Sequence, residues 1–172
     1  DVKVPVEDRI GEEGKGWTYA KGLLVHERTG LAGIQNSVLA LSKAKHNASQ
    51  VKVGDGTLLD VPSFRNKVGG LEAELMALEF LELQTLDQVA AGGDPGPESS
   101  IMKLKGTEIQ QRVSELNIEA AGIYGGAWGE PVGPGFARGA MSGYLGARAT
   151  TIYGGASEVQ KDVVAKKVLD LG

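Results

Sequence analysis

Residues 61–90 read VPSFRNKVGGLEAELMALEFLELQTLDQVA, and their apolar positions recur at steps of three and four: Phe64, Val68, Leu71, Leu75 and Leu78, then Leu86 and Val89. Side chains return to the same face of an α-helix at that interval, so the stretch is expected to be one helix with an apolar stripe. Pro62 suits a first helical turn, where its missing N–H has no partner to lose, and Asp60 or Ser63 is the candidate N-cap. The run AAGGDPGPESS over 90–100 ends the helix.

The same period extends to both sides. Leu24, Leu31, Ile34, Val38 and Leu41 predict a helix of about thirty residues from Trp17 to near Ala48. Gly22, Gly30 and Gly33 weaken it by up to about 1 kcal/mol each relative to alanine, and such glycines usually admit a close neighbour. Ile101, Leu104, Ile109, Val113, Leu116, Ala120 and Ile123 predict a third helix of similar length. Residues 136–150 read as a short helix interrupted by Gly139, Gly143 and Gly146, and a last helix runs from Ala156 through Val159, Val163 and Val168. At the front, Val2, Val4 and Val6 alternate with charged or polar neighbours, the period of an edge strand that runs into the Gly11, Gly14, Gly16 cluster. The expected class is all-α, an antiparallel up-and-down four-helix bundle with a short N-terminal strand remnant.

Composition limits the partners. The 172 residues carry 22 acidic and 18 basic side chains, a net charge of -4, with no basic run to draw the chain to nucleic acid or an anionic membrane surface. No apolar run approaches the roughly 20 residues that span a bilayer. There is no cysteine, which excludes disulfides and thiolate metal sites and suits a reducing cytoplasm. His26 and His46 are the only imidazoles, twenty positions apart, and no metal site is expected. The chain begins at Asp1 in DVKVPVEDRIGEEGKGW, which reads as a passage from the middle of a longer protein.

Two kinds of motif carry chemistry. In LLVHERTG, residues 23–30, Glu27 stands beside Leu23, Leu24 and Leu31, either as a carboxylate drawn into apolar surroundings fit for a general base or as an exposed residue paired with a lysine one turn away. IYGGAWG at 123–129 and IYGGASE at 152–158 each place a glycine pair after an aromatic residue, either so that backbone N–H groups approach a ligand or as two helix-cap turns. The segments SELNIE, GTEIQQ and SEVQKD read as ordinary helix polarity, and Trp17 and Trp128 as core or interface residues. No Ser/His/Asp spacing and no GxGxxG after a strand is present.

Three strings, VPVEDRIGEEGKGWTYAKGLLVHERTGLA at 4–32, GPESSIMKLKGTEIQQ at 96–111 and TTIYGGASEVQKDVVAKKVL at 150–169, resemble the C-terminal part of flavin-dependent acyl-CoA dehydrogenases. The resemblance implies that residues 1–14 end a middle β-domain and its linker and that 15–172 form the C-terminal helical bundle domain. It implies FAD as cofactor, an acyl-CoA thioester oxidised to the 2,3-enoyl-CoA, an electron-transfer flavoprotein as electron acceptor, and a homo- or hetero-oligomer. This stretch alone would then be inactive.

The resemblance also assigns residues. Many members carry their catalytic glutamate directly after the tyrosine of an IYEGT-like turn, where this chain has Gly154. Others place it on the first bundle helix immediately before an arginine, which here is Glu27 before Arg28. Glu27 is thus the implied base, Arg28, Tyr153, Gly154 and Gly155 the implied substrate contacts, and the Gly154 N–H an implied donor to the thioester oxygen. Gly125, Gly126, Ser157 and Glu158 are the implied flavin contacts. The chain departs from the family pattern at three places: VKVGDGTLLDVPSFRNKVGG stands where an RxTFG-like flavin contact is usual, Gly122 replaces the glutamine of QxxGG, and Ala156 replaces a threonine. These departures leave a second expectation, a helical assembly subunit that has lost the flavin and serves a heteromeric partner.

Overall fold

In the computed structural model, which describes residues 1–129 and 132–172 and only the backbone of residues 25, 26, 28 and 29, the expected first helix is two helices. They are α1, Gly16–Leu31, and α2, Ile34–Ser49. Between them Gly33 takes φ +56°, a left-handed conformation that costs a glycine little. The break also has a tertiary cause. On α4, Glu98–Ala121, a Cβ at Gly106 would overlap the backbone of Ala32, so α4 reaches the break because position 106 has no side chain. Gln110 then donates its Nε2 to the carbonyls of Leu31 and Ala32, both at 3.0 Å, and satisfies groups that the end of α1 leaves without helical partners. Gly22 and Gly30 face open space, so the close-packing role expected of them falls to Gly106 instead.

The helix α3, Pro62–Ala90, runs antiparallel to α2, with Lys45 Nζ 2.5 Å from Glu72 Oε1 and Gln35 donating to Glu79 at 3.4 Å. It is antiparallel to α4 as well, through Arg112–Glu74 at 2.6 Å and Lys67–Glu119 at 2.7 Å. The short α5, Ala140–Ala147, and the 3-10 turn Arg148–Thr151 come back along α4, held by Gln111 to the Ala147 carbonyl and by Arg148 to Glu115. The helices α2, α3, α4 and α5 therefore alternate in direction, while α1 and α6, Ser157–Lys167, pack on α4 near its N-terminal half. The fourth member of the up-and-down set is thus α5, not the last helix of the chain.

The core lies where α2, α3 and α4 meet: Phe64, Leu71, Leu75, Met102, Ile109 and Val113 are buried together. The stripe read on α3 holds as far as Leu78, whereas Leu86 and Val89 are exposed, because α3 outruns α2. The N-cap of α3 is Val61 rather than Asp60 or Ser63. Asp60 closes a short 3-10 turn, Leu58–Asp60, accepting the Thr57 hydroxyl at 2.7 Å and the Thr57 N–H at 2.9 Å. The Thr57 hydroxyl, then its backbone N–H, then the charges of Arg65 and Lys52 hold the Asp60 carboxyl below its ordinary value. Among the described residues the only strands are the two-residue pair Lys52–Val53 and Gly56–Thr57, with Lys52 opposite Thr57 and Val53 opposite Gly56.

One expectation fails here. Residues 1–14 form no strand but a 3-10 turn at Val6–Asp8 in an exposed segment, since no neighbouring strand lies alongside to take the backbone hydrogen bonds. Trp17 and Trp128, read as core or interface residues, are 72% and 63% exposed and so are not core residues of this chain.

Candidate functional site

The second IYGG turn is built on positive φ: +64° at Gly154 and +92° at Gly155. A Cβ at Gly154 would overlap the Leu31 side chain, and one at Gly155 would overlap the Gln160 amide, so glycine is required twice, by backbone and by space. Beneath the turn lie two wholly buried polar side chains. Lys103 of α4 donates from Nζ to the Gly155 carbonyl at 2.8 Å, and Gln160 of α6 donates from Nε2 to the Gly154 carbonyl at 3.3 Å. With both carbonyls drawn inward, the N–H groups of Gly154 and Gly155 donate to no acceptor among the described residues. Two adjacent unused N–H donors on a rigid turn are suited to an oxygen that gains negative charge.

Glu27 stands one helical turn before Leu31, on the face of α1 that meets this turn. The positions one turn away are Leu23, Leu24, Gly30 and Leu31, none of them lysine, and Glu27 has no ion pair among the described residues, which removes the paired-lysine reading. Nor do the described residues close an apolar shell around it. Glu27 is exposed, and Leu23 beside it is 67% exposed, because among the described residues α1 packs mainly on α4 and leaves its outer side open. The Arg28 side chain lies outside the described residues. Tyr153 is about half exposed at the same corner.

The implied flavin contacts divide. Ser157 and Glu158 open α6 directly after the turn, with Ser157 Oγ donating to the Thr151 carbonyl at 3.4 Å and Glu158 exposed in the first turn. Gly125 and Gly126 lie past the opposite end of α4, whose length from Lys103 to Ala121 is roughly 27 Å at 1.5 Å per helical residue. Gly122 is the C-cap of α4, the Gly125 N–H donates to the Gly122 carbonyl at 3.0 Å, and a Cβ at Gly125 would stand 2.8 Å from the Ile118 carbonyl, so the first glycine pair closes the end of α4.

Sequence reasoning passed over Lys103 and read the segments of Gln110, Gln111 and Gln160 as helix polarity. Lys103, Gln110 and Gln160 bond backbone carbonyls of the α1 end and the glycine turn, and Gln111 bonds the Ala147 carbonyl and Thr151 Oγ1, both at 3.1 Å. A signal was available for the first. Lys103 falls in step with Gly106, Ile109 and Val113 on the inward stripe of α4, where a cation must be bonded to be buried.

A cavity of about 530 Å³ opens beside this corner, between α2, α4 and α5, with Gly30, Leu31 and Tyr153 at one end. Among the described residues no cluster of three potential metal ligands occurs, and no helix is long and apolar enough to cross a membrane.

The family model for the acyl-CoA dehydrogenase C-terminal domain matches residues 14–169. The chain is 24% identical over 179 residues to the mitochondrial long-chain specific acyl-CoA dehydrogenase of Rattus norvegicus, covering 98% of this chain and 38% of the relative. It is 28% identical over 177 residues to acyl-CoA dehydrogenase FadE26 of Mycobacterium tuberculosis, covering 99% of this chain and 44% of that protein. Among solved structures, butyryl-CoA dehydrogenase from Megasphaera elsdenii superposes with a TM-score of 0.77 at 26% identity, covering 98% of this chain and 43% of the other. The chain thus spans about two fifths of the length of such relatives. On a match that runs through α1 to α6 and takes in both Glu27 and the glycine turn, the chain belongs to the acyl-CoA dehydrogenase family, as its C-terminal domain.

Proposed function

We propose that the chain is the part of an FAD-dependent acyl-CoA dehydrogenase that carries the catalytic base, Glu27, and part of the thioester site. The observation that carries this reading is the contact between α1 and the glycine turn. Leu31 fills the space that a side chain at position 154 would need, one turn from a carboxylate that itself has no partner among the described residues. A base at 27 and glycine at 154 are thus compatible in one packing arrangement, and a base at 154 is not.

In this reading Glu27 takes the α-proton of the thioester, and the free N–H of Gly154 donates to the thioester oxygen as it gains charge. The Gly154–Gly155 turn does not reorganise during the step, because Lys103 and Gln160 already hold its carbonyls. Breaking the β-carbon–hydrogen bond completes the 2,3-double bond. Bound FAD supplies the acceptor for that hydride, with an electron-transfer flavoprotein as onward acceptor. The residues present meet part of what FAD requires. Glu158 in the first turn of α6 suits a ribose hydroxyl and repels a phosphate, and the Gly125 N–H already donates to the Gly122 carbonyl at 3.0 Å, so neither would hold the phosphates.

Glu27→Gln in the full-length protein keeps shape and removes the basic oxygen. Turnover of an acyl-CoA is expected to fall by about 10²–10⁴-fold, with flavin content unchanged. Near-normal turnover would overturn the assignment. Moving the carboxylate with Gly154→Glu is expected to restore activity only when Leu31→Ala opens the space.

A further inference from the structure

The cavity between α2, α4 and α5 is not needed for the proton step, yet it begins at the same corner, with Gly30, Leu31 and Tyr153 at its near end. Its size lies in the range that holds a small ligand. Its charge is one-sided: in a chain of net charge -4, no aspartate or glutamate lines it, while Lys43 of α2 and Arg138 before α5 do. Neither cation has an ion-pair partner among the described residues, in contrast to Arg148 nearby, which pairs with Glu115 at 3.1 Å. Asn36 and Asn117 add amide groups to the wall, and Val113 and Ala140 an apolar floor.

We propose that this cavity receives the far end of the acyl group and that the group ends in a carboxylate held by Arg138 and Lys43; this rests on the acyl-CoA reading above. From Ile34 to Lys43 the helix rises roughly 14 Å, so a four-carbon acyl group stops short of the cations, while a long one reaches them. The cations stand at the exposed rim and the apolar floor lies behind them, so a carboxylate gains charge-assisted hydrogen bonds without being buried deeply. A neutral chain end forgoes those bonds.

The test compares dodecanoyl-CoA with the mono-CoA thioester of dodecanedioic acid as substrates of the full-length flavin-loaded protein. Wild type is expected to favour the dicarboxylic substrate. The K43Q/R138Q variant is expected to lose about tenfold or more of its kcat/KM for that substrate and to keep that for dodecanoyl-CoA. Equal rates with both substrates in wild type, or an equal loss of both in the variant, overturn the proposal, as does flavin lost from the variant, which would assign the cations to the cofactor's phosphates. Calorimetric binding of free dodecanedioate against dodecanoate provides a readout that needs no turnover. If wild type binds the diacid more tightly and the variant does not, the cavity assignment stands even where neither thioester reacts and the dehydrogenase reading falls. No binding of the diacid overturns it.

Discussion

The two sides of α4 are held by different forces. Toward α2 and α3 it packs Ile109, Val113 and Leu116 against Phe64, Leu71 and Leu75, all nearly inaccessible to water. Toward α1, α6, the glycine turn and the end of α5 its inward groups include Lys103, Gln110 and Gln111, and the contacts are hydrogen bonds from long side chains to backbone carbonyls. Apolar burial is non-directional and tolerates small shifts, which suits a scaffold. A hydrogen bond fixes one atom relative to another, which suits a turn whose N–H groups must point to one place. The site side is also the open side: α1 and the N-terminal segment expose Trp17, Leu23 and Ile10, and nothing among the described residues covers them.

Breaking the apolar side should have the largest effect. Phe64→Ala removes the largest wholly buried side chain among the described residues and is expected to cost about 3–5 kcal/mol, read as a lower denaturation midpoint of the whole protein. An unchanged midpoint would mean that the core does not carry the fold. Lys103→Met should cost less, about 1–3 kcal/mol, because it leaves the Gly155 carbonyl without its donor. Its signature is local: amide exchange in residues 152–156 rises while α3 stays protected, and uniform loss of protection would erase the distinction between the two sides. The smallest effect belongs to Asp60, which lies on neither side. Its native value is lowered, so its contribution is present above the ordinary value of 3.8 and is lost as the pH falls through the lower native one. Asp60→Asn should lower stability slightly at neutral pH, where the carboxylate accepts from Thr57, and change nothing below the native value, so the acid limb flattens; a larger effect in acid than at neutral pH would contradict the Thr57 contact as its cause.

The apolar side was legible and the polar side was not. Phe64, Val68, Leu71, Leu75 and Leu78 repeat at the helical period and are all buried, as the period requires. Leu86 and Val89 repeat at the same period and are exposed, because the pattern records which face is apolar and not how far a neighbour extends. The same limit joined α1 to α2 in the reading. Leu31 and Ile34 stay in step across Gly33, and the break depends on Gly106, seventy-three positions away, meeting Ala32.

What the sequence determined by itself is therefore the set of helices, their apolar faces, and the presence of a carboxylate before an arginine and of a glycine pair after a tyrosine, since these are local in the chain. Tertiary structure alone decided that Leu31 occupies the place of a side chain at 154, that Lys103 and Gln160 turn the glycine carbonyls inward, and that the two glycine pairs stand at opposite ends of α4. The physical reason is that each of these joins atoms distant in sequence through contacts a few ångströms long, and a periodic pattern specifies the face on which a side chain stands but not the atom it will meet.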